Sequence, residues 1–324
     1  MLNGEIMERY SLVKDWRSAG FYETENHRQI ARTVRAGLGS GRLIAITGPI
    51  GVGKTVFLHR LQDEIASEKK VTVAESLSVD AARTTVPTLI AALFYDLSTE
   101  KEVKIPTQGE KRERELRKLV VRSGKPVALF IDEAHDLNGR TMNGLKRLME
   151  VVGRGGGNLS VVLIGHPKLR NDLRRPTMEE IGHRTDVLAF EGLGEDTRAY
   201  LDWLLGECAG DNVDVDTLIE PAALDLMAMR LSTPLQFAEH LNRAFEAGFR
   251  MGQKPIDADI VMATLAPDFD DLEPRLTRQG YSAKVLAEQF HARPAEIRRF
   301  LNGQLDPGRT RELADRMRAV GLAL

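Results

Sequence analysis

The chain has 324 residues, 42% of them hydrophobic and 28% charged, which is typical of a globular protein with one large domain or two smaller ones. The net charge of −2 excludes a uniformly basic surface, so any nucleic-acid-binding surface must be local or created by assembly. The single cysteine, Cys208, excludes an internal disulfide and a multi-cysteine metal site, and we expect it in the core. No apolar run approaches the ~18 residues of a membrane span, and the N-terminus lacks the apolar segment of a signal peptide. We therefore expect a cytoplasmic protein without a membrane segment.

The first part of the chain alternates predicted strands with predicted helices. Residues 1–24 are interpreted as an N-terminal arm, which four aromatic side chains would anchor: Tyr10, Trp16, Phe21 and Tyr22. Short apolar runs predict strands at 43–47, 71–74, 127–131, 159–164 and 186–190. Helical periodicity predicts helices at 25–38, 54–66, 87–97, 110–122 and 142–152. This alternation, with several strands apolar throughout, predicts an α/β fold class with a parallel sheet covered on both faces, here over residues 25–192.

After residue 192 the pattern becomes entirely helical. Residues 193–266 are predicted to form a small helical lid, with helices at 195–208, 221–231, 234–251 and 257–265. An acidic linker with two prolines follows at 267–274. Residues 275–324 carry ten Lys or Arg against five Asp or Glu, and they predict a basic tail of three short helices at 283–290, 295–301 and 309–320.

A glycine-rich loop lies between the first predicted strand and the helix that follows it. Residues 48–55 read G-P-I-G-V-G-K-T, the pattern of a P-loop. Glycines let the backbone curl so that several N–H groups point at a phosphate, and the helix N-terminus adds a favourable dipole. Lys54 would reach the β- and γ-phosphates, and Thr55 would ligate Mg²⁺. The predicted ATP-binding residues are Gly48, Pro49, Ile50, Gly51, Val52, Gly53, Lys54, Thr55 and Val56.

A second motif, A-L-F-I-D-E-A-H at 128–135, is an apolar strand that ends in two acids. The carboxyl ends of parallel strands form the edge of the sheet where ligands bind. We expect Asp132 to hold Mg²⁺, through water, and Glu133 to orient and polarise the water that attacks the γ-phosphate. The two motifs together predict ATP hydrolysis.

These two motifs, their spacing and the helical region after the sheet resemble the AAA+ ATPases, over roughly residues 20–265. The D-E-A-H and the I-G-H-P at 164–167 look most similar to one branch. That branch holds the transposition-regulator ATPases (the TnsC, TniB and MuB types) and the secretion-associated ExeA type. The resemblance implies an AAA+ core, ATP and Mg²⁺ as cofactors, and self-assembly into a ring or a helical filament.

The resemblance also implies residues that complete the site. A polar residue at the tip of the next strand senses the γ-phosphate, and His166 holds that position. An arginine from a neighbouring subunit contacts the γ-phosphate; Arg184 is the first candidate, with Arg174 and Arg175 as alternatives. The lid of relatives contributes another arginine, where this chain has Leu235. That departure favours slow hydrolysis and hence a switch rather than a motor.

The basic tail resembles a helix-turn-helix of the Lac-repressor or phage-repressor sort, in V-L-A-E-Q-F, a short turn and I-R-R-F-L-N-G. A second helix in the major groove would place Arg298 and Arg299 near phosphates or base edges. The usual glycine of the turn is missing, with His291 and Ala292 in its place. A three-helix module that docks onto a protein remains the alternative.

A second basic region follows the second predicted strand. Arg83, Thr84 and Thr85 are candidate DNA contacts, and Lys111 on the charged helix is another. Repetition of a few contacts around a ring would reconcile DNA binding with the net charge of −2. The charged helix also fits an exposed surface of alternating ion pairs.

The sequence favours an ATP-dependent regulator of DNA transposition. It would oligomerise on double-stranded target DNA, recruit a transposase with the help of a target-selection protein, and disassemble on hydrolysis. One alternative is a secretion or envelope-assembly ATPase of the ExeA type, although such proteins usually carry a membrane span and a periplasmic part that this sequence does not contain. Another is a nucleotide-gated signalling scaffold.

Overall fold

The computed structural model describes residues 2–76, 84–98, 103–265, 272–302, 304–322 and 324. Arg83, one of the candidate DNA contacts, lies outside these residues. The chain separates into two compact units. One, called here the α/β unit, comprises Glu25–Pro49 and Lys54–Phe190; the other, the helical unit, comprises Met1–Thr24, Ile50–Gly53 and Glu191–Leu324.

The α/β unit contains a five-stranded sheet in the order β2-β3-β4-β1-β5. Its strands are β1 (Leu43–Thr47), β2 (Thr72–Glu75), β3 (Val127–Ile131), β4 (Leu159–Gly165) and β5 (Thr185–Ala189). Every neighbouring pair is parallel. The predicted α/β fold class and its parallel sheet are confirmed, and each predicted strand is found within one residue of its expected ends.

The helices are numbered along the chain. Those of the α/β unit are α2 (Glu25–Leu38), α3 (Lys54–Glu68), α4 (Val86–Leu97), α5 (Gly109–Arg122), α6 (Gly139–Arg154), α7 (Pro167–Leu173) and α8 (Glu179–Gly182). Those of the helical unit are α1 (Gly4–Arg9), α9 (Thr197–Cys208), α10 (Pro221–Arg230), α11 (Pro234–Met251), α12 (Ala258–Thr264), α13 (Leu272–Arg278), α14 (Ala283–Phe290), α15 (Pro294–Leu301) and α16 (Pro307–Ala319).

The central strands position the functional edge of the sheet. Every residue of β1, β3 and β4 is buried, as expected for parallel strands that helices cover on both faces. Amphipathic helices supply the cover; in α6 the apolar residues recur every three or four positions, at Met142, Leu145, Leu148 and Val152. Because the strands are parallel and in register, their carboxyl ends meet at one edge, with Thr47 opposite Gly165.

The N-terminal arm is part of the core of the helical unit. Tyr10 is completely buried, its ring packs edge-on to Phe245 with centroids 4.7 Å apart, and its hydroxyl donates to the Gln253 carbonyl at 2.7 Å. Trp16 is also buried and donates to the side chain of Asn242 at 3.0 Å. Tyr22 also packs on the helices, with its ring 5.6 Å from that of Tyr200 on α9, so three of the four predicted aromatic anchors attach the arm.

Cys208 lies in the same core, at the end of α9, with no exposed surface. Burial raises the pKa of its thiol to about 11, so the reactive thiolate is scarce at neutral pH. The structure agrees with the expectation of a core residue.

The C-terminal part has its own small core. Leu276, Tyr281, Leu286, Ile297, Phe300 and Leu313 are among its buried members. The three helices predicted in the tail are present as α14, α15 and α16, and α13 is an additional helix that the sequence pattern did not predict. Most of the predicted linker, 267–271, lies outside the described residues; its last three positions begin α13.

Candidate active site

The loop after β1 needs glycine at specific positions. A side chain at Gly48 would place its Cβ only 2.3 Å from the carbonyl oxygen of Phe190, so no other residue fits there. Gly51 and Gly53 adopt φ angles of +83° and +95°, which glycine tolerates and other residues rarely adopt. The chain then enters α3 at Lys54, so the loop ends at a helix N-terminus, which favours an anion.

Lys54 is buried at the start of α3, with 7% of its surface exposed. Its ammonium donates to the carbonyl oxygens of Gly48 at 2.9 Å and Pro49 at 2.8 Å. Burial lowers the pKa of Lys54, and the nearby carboxylates of Glu133 and Asp132 oppose that shift. Both hydrogen-bond acceptors are uncharged carbonyls, so the positive charge remains available to a phosphate.

Thr55 and Asp132 come together although they lie 77 positions apart in the sequence. The Thr55 hydroxyl donates to Asp132 Oδ2 at 2.9 Å. A hydroxyl and a carboxylate are the hard oxygen ligands that Mg²⁺ takes, and the adjacent buried Lys54 suits the phosphates that usually complete the coordination of this ion. These residues therefore fit Mg²⁺ with a nucleotide.

Glu133 follows Asp132 in an unusual backbone conformation. Its φ and ψ of 50° and 31° lie in the left-handed region, which costs about 1–3 kcal/mol for a residue other than glycine. The Glu133 N–H donates to Asp132 Oδ1 at 2.8 Å, which helps hold that turn. Burial, and then the charge of Asp132, raise the pKa of the Glu133 carboxyl, whereas Lys54 lowers it. A carboxylate with a raised pKa is a better base than an ordinary surface glutamate.

Two histidines lie beside Glu133. The rings of His135 and His166 are stacked, with centroids 3.8 Å apart and planes inclined by 29°. Glu133 Oε2 lies 3.2 Å from His135 Nδ1 and 3.8 Å from His166 Nε2. Burial lowers the pKa of both rings, that of His166 to about 3, so both are neutral at physiological pH. His166, predicted as the sensor of the γ-phosphate, thus lies beside Glu133, and its sensor role stays a prediction. His135 was not predicted at the site, although it is the last residue of the D-E-A-H motif.

The three side chains raise the question of a metal centre. One ligand atom from each of Glu133, His135 and His166 lies within 4.8 Å of the others. Two histidines that share a zinc ion must both have it in the ring plane, at ~2.0–2.1 Å from nitrogen. The planes of the two stacked rings are inclined by only 29°, so they intersect much farther from the nitrogens than a zinc ion would lie. The arrangement therefore suits contacts with the carboxylate better than shared coordination of a metal.

Arg184 lies at the amino ends of the strands, whereas the residues described above lie at their carboxyl ends. It immediately precedes β5, whose first residue, Thr185, is paired with Leu43 at the amino end of β1. Its side chain is 61% exposed, and its guanidinium forms an ion pair of 2.9 Å with Glu150. The full length of the strands therefore separates Arg184 from the site of its own chain. Both alternatives follow α7: Arg174 caps its C-terminal end, and Arg175 pairs with Asp172 at 2.9 Å.

Within the helical unit, Leu235 contacts Gly51. The Leu235 N–H donates to the Gly51 carbonyl at 3.2 Å, and a Cβ on Gly51 would lie 2.7 Å from the Leu235 Cβ. The position for which the resemblance implied an arginine is thus next to Gly51, and an aliphatic side chain occupies it. Val52 is buried, whereas Val56, also predicted at the nucleotide, is 56% exposed.

The candidate DNA contacts of the α/β unit differ in exposure. Thr84 is 2% exposed and its carbonyl accepts a hydrogen bond from Thr141, so its side chain is not on the surface. Thr85 is exposed, and its N–H is bonded to the Thr88 hydroxyl at the start of α4. Lys111 is exposed on α5, whose apolar face is buried and whose outer face includes charge pairs such as Lys118 with Glu115.

The tail forms a compact turn without glycine. His291 ends α14 with φ 50° and ψ 43°, the left-handed conformation usually taken by glycine. On the next helix Arg298 and Arg299 are exposed, while Ile297, Phe300 and Leu301 are buried. The missing glycine that weakened the helix-turn-helix prediction is therefore replaced by a histidine in the same conformation.

Comparison with known proteins identifies the kind of domain. Residues 37–173 match the family model described as an AAA domain. The chain is 27% identical over 253 residues to general secretion pathway protein A of Aeromonas hydrophila; the match covers 75% of this chain and 44% of that protein. The chain thus contains an AAA-type P-loop domain and spans less than half the length of this relative.

Solved structures share the fold. A RuvB variant of Thermotoga maritima has a TM-score of 0.51 with 16% identity, covering 87% of both chains. A structure of the Drosophila ORC bound to DNA has a TM-score of 0.54 with 16% identity, and the match covers 98% of this chain and 84% of that one. The fold is therefore the α/β AAA+ fold with a C-terminal helical region. Among the described residues, no helix is both long enough and apolar enough to cross a membrane.

Proposed function

We propose that this chain binds ATP with Mg²⁺ and hydrolyses ATP to ADP and phosphate. The observation that carries the proposal is the convergence of Lys54, Thr55, Asp132 and Glu133 at one edge of the sheet, where Thr55 Oγ1 and Asp132 Oδ2 lie 2.9 Å apart. Lys54 would bind the β- and γ-phosphates, and the glycine loop would offer its N–H groups to them. Thr55 and Asp132 would hold Mg²⁺, which when bound neutralises phosphate charge.

Glu133 would act on the water. In the proposed step the water oxygen bonds to the γ-phosphorus as the bond to the bridging oxygen of ADP breaks, and a water proton passes to the Glu133 carboxylate. The raised pKa of Glu133 suits this role, because the partial burial of its carboxyl group and the charge of Asp132 make it a stronger base.

We also propose that hydrolysis depends on self-assembly. Arg184 is remote from the site of its own chain and largely exposed, as an arginine that serves a neighbouring subunit must be. The aliphatic Leu235 at the lid position supports slow hydrolysis, and hence a switch whose ATP-bound assembly persists. Ring and filament geometries would both allow this.

Two variants test the ATPase proposal. Lys54→Ala is expected to abolish ATP binding, measured by calorimetry. Glu133→Gln is expected to keep ATP binding while turnover falls at least ~100-fold and ATP-bound assemblies accumulate, because the carboxamide cannot accept the proton. Wild-type turnover in Glu133→Gln would remove Glu133 from the mechanism, and a chain that binds nucleotide without turnover would support the signalling scaffold.

For the cellular role, we propose a secretion or envelope-assembly ATPase of the ExeA type as the first candidate. The support is the similarity to general secretion pathway protein A over 75% of this chain. ATP is a cytoplasmic fuel, so the ATPase would work on that side of the envelope. Deletion of the gene in its native host should impair protein export or envelope assembly, and a Lys54→Ala copy should fail to restore it. Normal export in the deletion strain would contradict this role.

A DNA-binding regulator of transposition is the second candidate. The observation that favours it is the tail, where α14 and α15 meet at a compact turn and Arg298 and Arg299 are exposed on α15. Such a protein would assemble on double-stranded DNA and recruit a transposase and a target-selection protein. Thr85 and Lys111, exposed on the α/β unit, would add backbone contacts, whereas buried Thr84 would not.

The two candidates predict different responses to DNA. With a slowly hydrolysed ATP analogue and duplex DNA, the transposition regulator should form assemblies on DNA that electron microscopy can detect. Arg298→Ala with Arg299→Ala should then weaken binding and reduce its salt dependence by up to two counterions. Self-assembly that requires the nucleotide but is the same with and without DNA would instead support the secretion role. A transposase gene beside this one would favour transposition, and secretion genes beside it would favour export.

A further inference from the structure

We propose that His135 is a positioning residue for Glu133: stacked on His166, it presents Nδ1 to the Glu133 carboxylate and keeps this base oriented towards the attacking water. The inference rests on the proposed ATP hydrolysis at this site. It assigns a role to a side chain that contacts neither phosphate nor metal ligands in the mechanism above.

The Glu133 carboxylate needs support from another residue. Its side chain is 52% exposed, and its backbone N–H is bonded to Asp132, which fixes the turn but not the carboxylate. An exposed glutamate samples several rotamers, and holding it in one of them has an entropic cost. A base that must face one water therefore gains from a rigid neighbour that holds its carboxylate.

His135 is such a neighbour. Only 10% of its side chain is exposed, and its ring stacks on His166, which is 13% exposed. Its backbone carbonyl accepts a hydrogen bond of 3.0 Å from Lys168, whose ammonium also bonds Asp172 at 2.9 Å. The ring is thus held from the side by His166, which follows β4, and the backbone of His135 is held by Lys168 on α7.

Gly165 at the end of β4 makes this packing possible. A Cβ at Gly165 would lie 3.0 Å from the backbone nitrogen of His135 and 3.4 Å from Nδ1 of the His135 ring. Real side chains rarely tolerate such contacts, so any larger residue would push His135 away from β4. The absence of a side chain at Gly165 therefore allows the two histidines to stack.

The unused nitrogen of His135 points to a role beyond packing. Its Nδ1 is buried and, among the described residues, has no hydrogen-bond partner, while Glu133 Oε2 lies 3.2 Å away. A buried polar atom without a partner destabilises a fold, and an aromatic hydrocarbon at this position would avoid that cost. Catalytic hydrogen bonds are often poorly aligned before substrate binds and tighten afterwards. A small rotation of the Glu133 side chain would complete this one.

Two substitutions of His135 separate positioning from packing. His135→Phe keeps a ring that can stack on His166 but removes both nitrogens. His135→Asn loses the stacking but places an amide N–H near the position of Nδ1. If His135 positions Glu133, kcat should fall about 10- to 30-fold in the Phe variant and less than about 3-fold in the Asn variant. The affinity for ATP should change less than about 2-fold in both, since neither nitrogen contacts the phosphates.

A structural role predicts the reverse order, because Phe preserves packing and Asn does not. A kcat in the Phe variant that equals or exceeds that in the Asn variant would therefore overturn the proposal. His59→Phe is the matched control: His59 is 61% exposed on α3, and its loss should leave kcat unchanged. Thermal unfolding of each variant establishes that it is folded.

Gly165→Ala provides a second route that alters no polar group. The added methyl should displace His135 and lower kcat by about 10-fold while the affinity for ATP is kept. An unchanged kcat in Gly165→Ala would also count against the proposal. Absence of turnover in the wild-type protein is a different result: it would remove the ATPase proposal itself, whereas normal wild-type turnover with an unaffected Phe variant would remove only the role of His135.

Discussion

The α/β unit and the helical unit bury their apolar residues in different ways, and their polar residues differ accordingly. In the α/β unit three strands are buried along their whole length, so polar side chains are confined to the ends of strands. Parallel strands bring those ends to one edge, where residues from distant parts of the sequence meet. In the helical unit amphipathic helices enclose separate apolar clusters and direct their polar faces outward.

The two units therefore suit different kinds of function. Chemistry needs several polar groups within a few ångströms, which the sheet edge supplies through Lys54, Thr55, Asp132 and Glu133. Recognition of a partner needs an exposed surface of defined charge, and the exposed Arg298 and Arg299 on α15 fit the DNA contacts proposed above. Substitutions of the polar residues at this edge should therefore alter catalysis, and the substitutions of His240 and His291 in the helical unit should alter stability.

The largest effect is expected for Arg184→Ala. Turnover should fall about 10³-fold, the low end of the range for an arginine that reaches a neighbouring γ-phosphate. Stability should barely change, because an exposed ion pair such as that with Glu150 contributes at most ~1 kcal/mol. Steady-state ATPase assays and thermal unfolding measure the two quantities.

Mixing provides the decisive control for Arg184. In mixed assemblies with Glu133→Gln subunits, some sites combine an intact Glu133 with an intact Arg184 from the next subunit, so activity should partly return. No recovery, in assemblies verified to contain both variants, would contradict a role between subunits.

The second-largest effect on turnover is expected for Asp132→Asn. Loss of the carboxylate beside Thr55 should lower turnover about 100-fold and shift the magnesium dependence to higher concentration, because a neutral amide is a poor ligand for this ion. ATPase rates measured across a magnesium titration give the answer. Asp63→Asn, an exposed acid on α3, should behave as wild type. An unchanged magnesium requirement in Asp132→Asn would remove Asp132 from the metal site.

A smaller effect concerns the pH dependence of stability in the helical unit. His240 in α11 is completely buried, and burial lowers the pKa of its ring. The unfolded chain therefore takes up the proton first as pH falls below ~6.5, so this residue lowers the free energy of unfolding on the acid side, by up to ~1.4 kcal/mol per pH unit. Above ~6.5 both states are neutral and the effect disappears.

Urea unfolding of wild type and His240→Gln at pH 7.5 and 5.5 isolates this contribution. The loss of stability between the two pH values should be about 1 kcal/mol smaller in the variant, since glutamine does not titrate. ATP turnover at pH 7.5 should be unaffected. An identical pH dependence in both proteins would show that His240 is equally easy to protonate in the folded state.

The smallest effect is expected in the turn of the tail. His291→Gly should stabilise the C-terminal helices by about 0.5–1 kcal/mol, because glycine adopts the left-handed conformation without the steric penalty of a Cβ. His291→Ala keeps that penalty and serves as the matched comparison. Hydrogen exchange of α14 and α15 measures both; an alanine variant as stable as the glycine variant would contradict the conformational explanation.

The sequence predicted the sheet and the chemistry at its edge to a large extent, for local reasons. Strands buried on both faces are apolar throughout, so β1, β3 and β4 could be recognised from composition alone. A loop that curls around phosphate requires glycine at set positions, so the run G-P-I-G-V-G-K-T can be recognised from the sequence as a phosphate-binding loop. In the tail, α14 was predicted with its observed ends, but α13 was missed because two prolines and several acids suggested a linker.

What the sequence determined by itself is thus the local pattern: which segments are strands, which residues form the phosphate loop, and which acids end β3. Only the tertiary structure decided what meets across the sheet. The order β2-β3-β4-β1-β5 brings the ends of β3 and β4 side by side, and so it stacks His135 on His166 next to Glu133. That contact joins residues 31 positions apart through parallel strand pairing and the missing side chain of Gly165. Parallel pairing is set by packing between distant segments, which no local pattern of residues encodes.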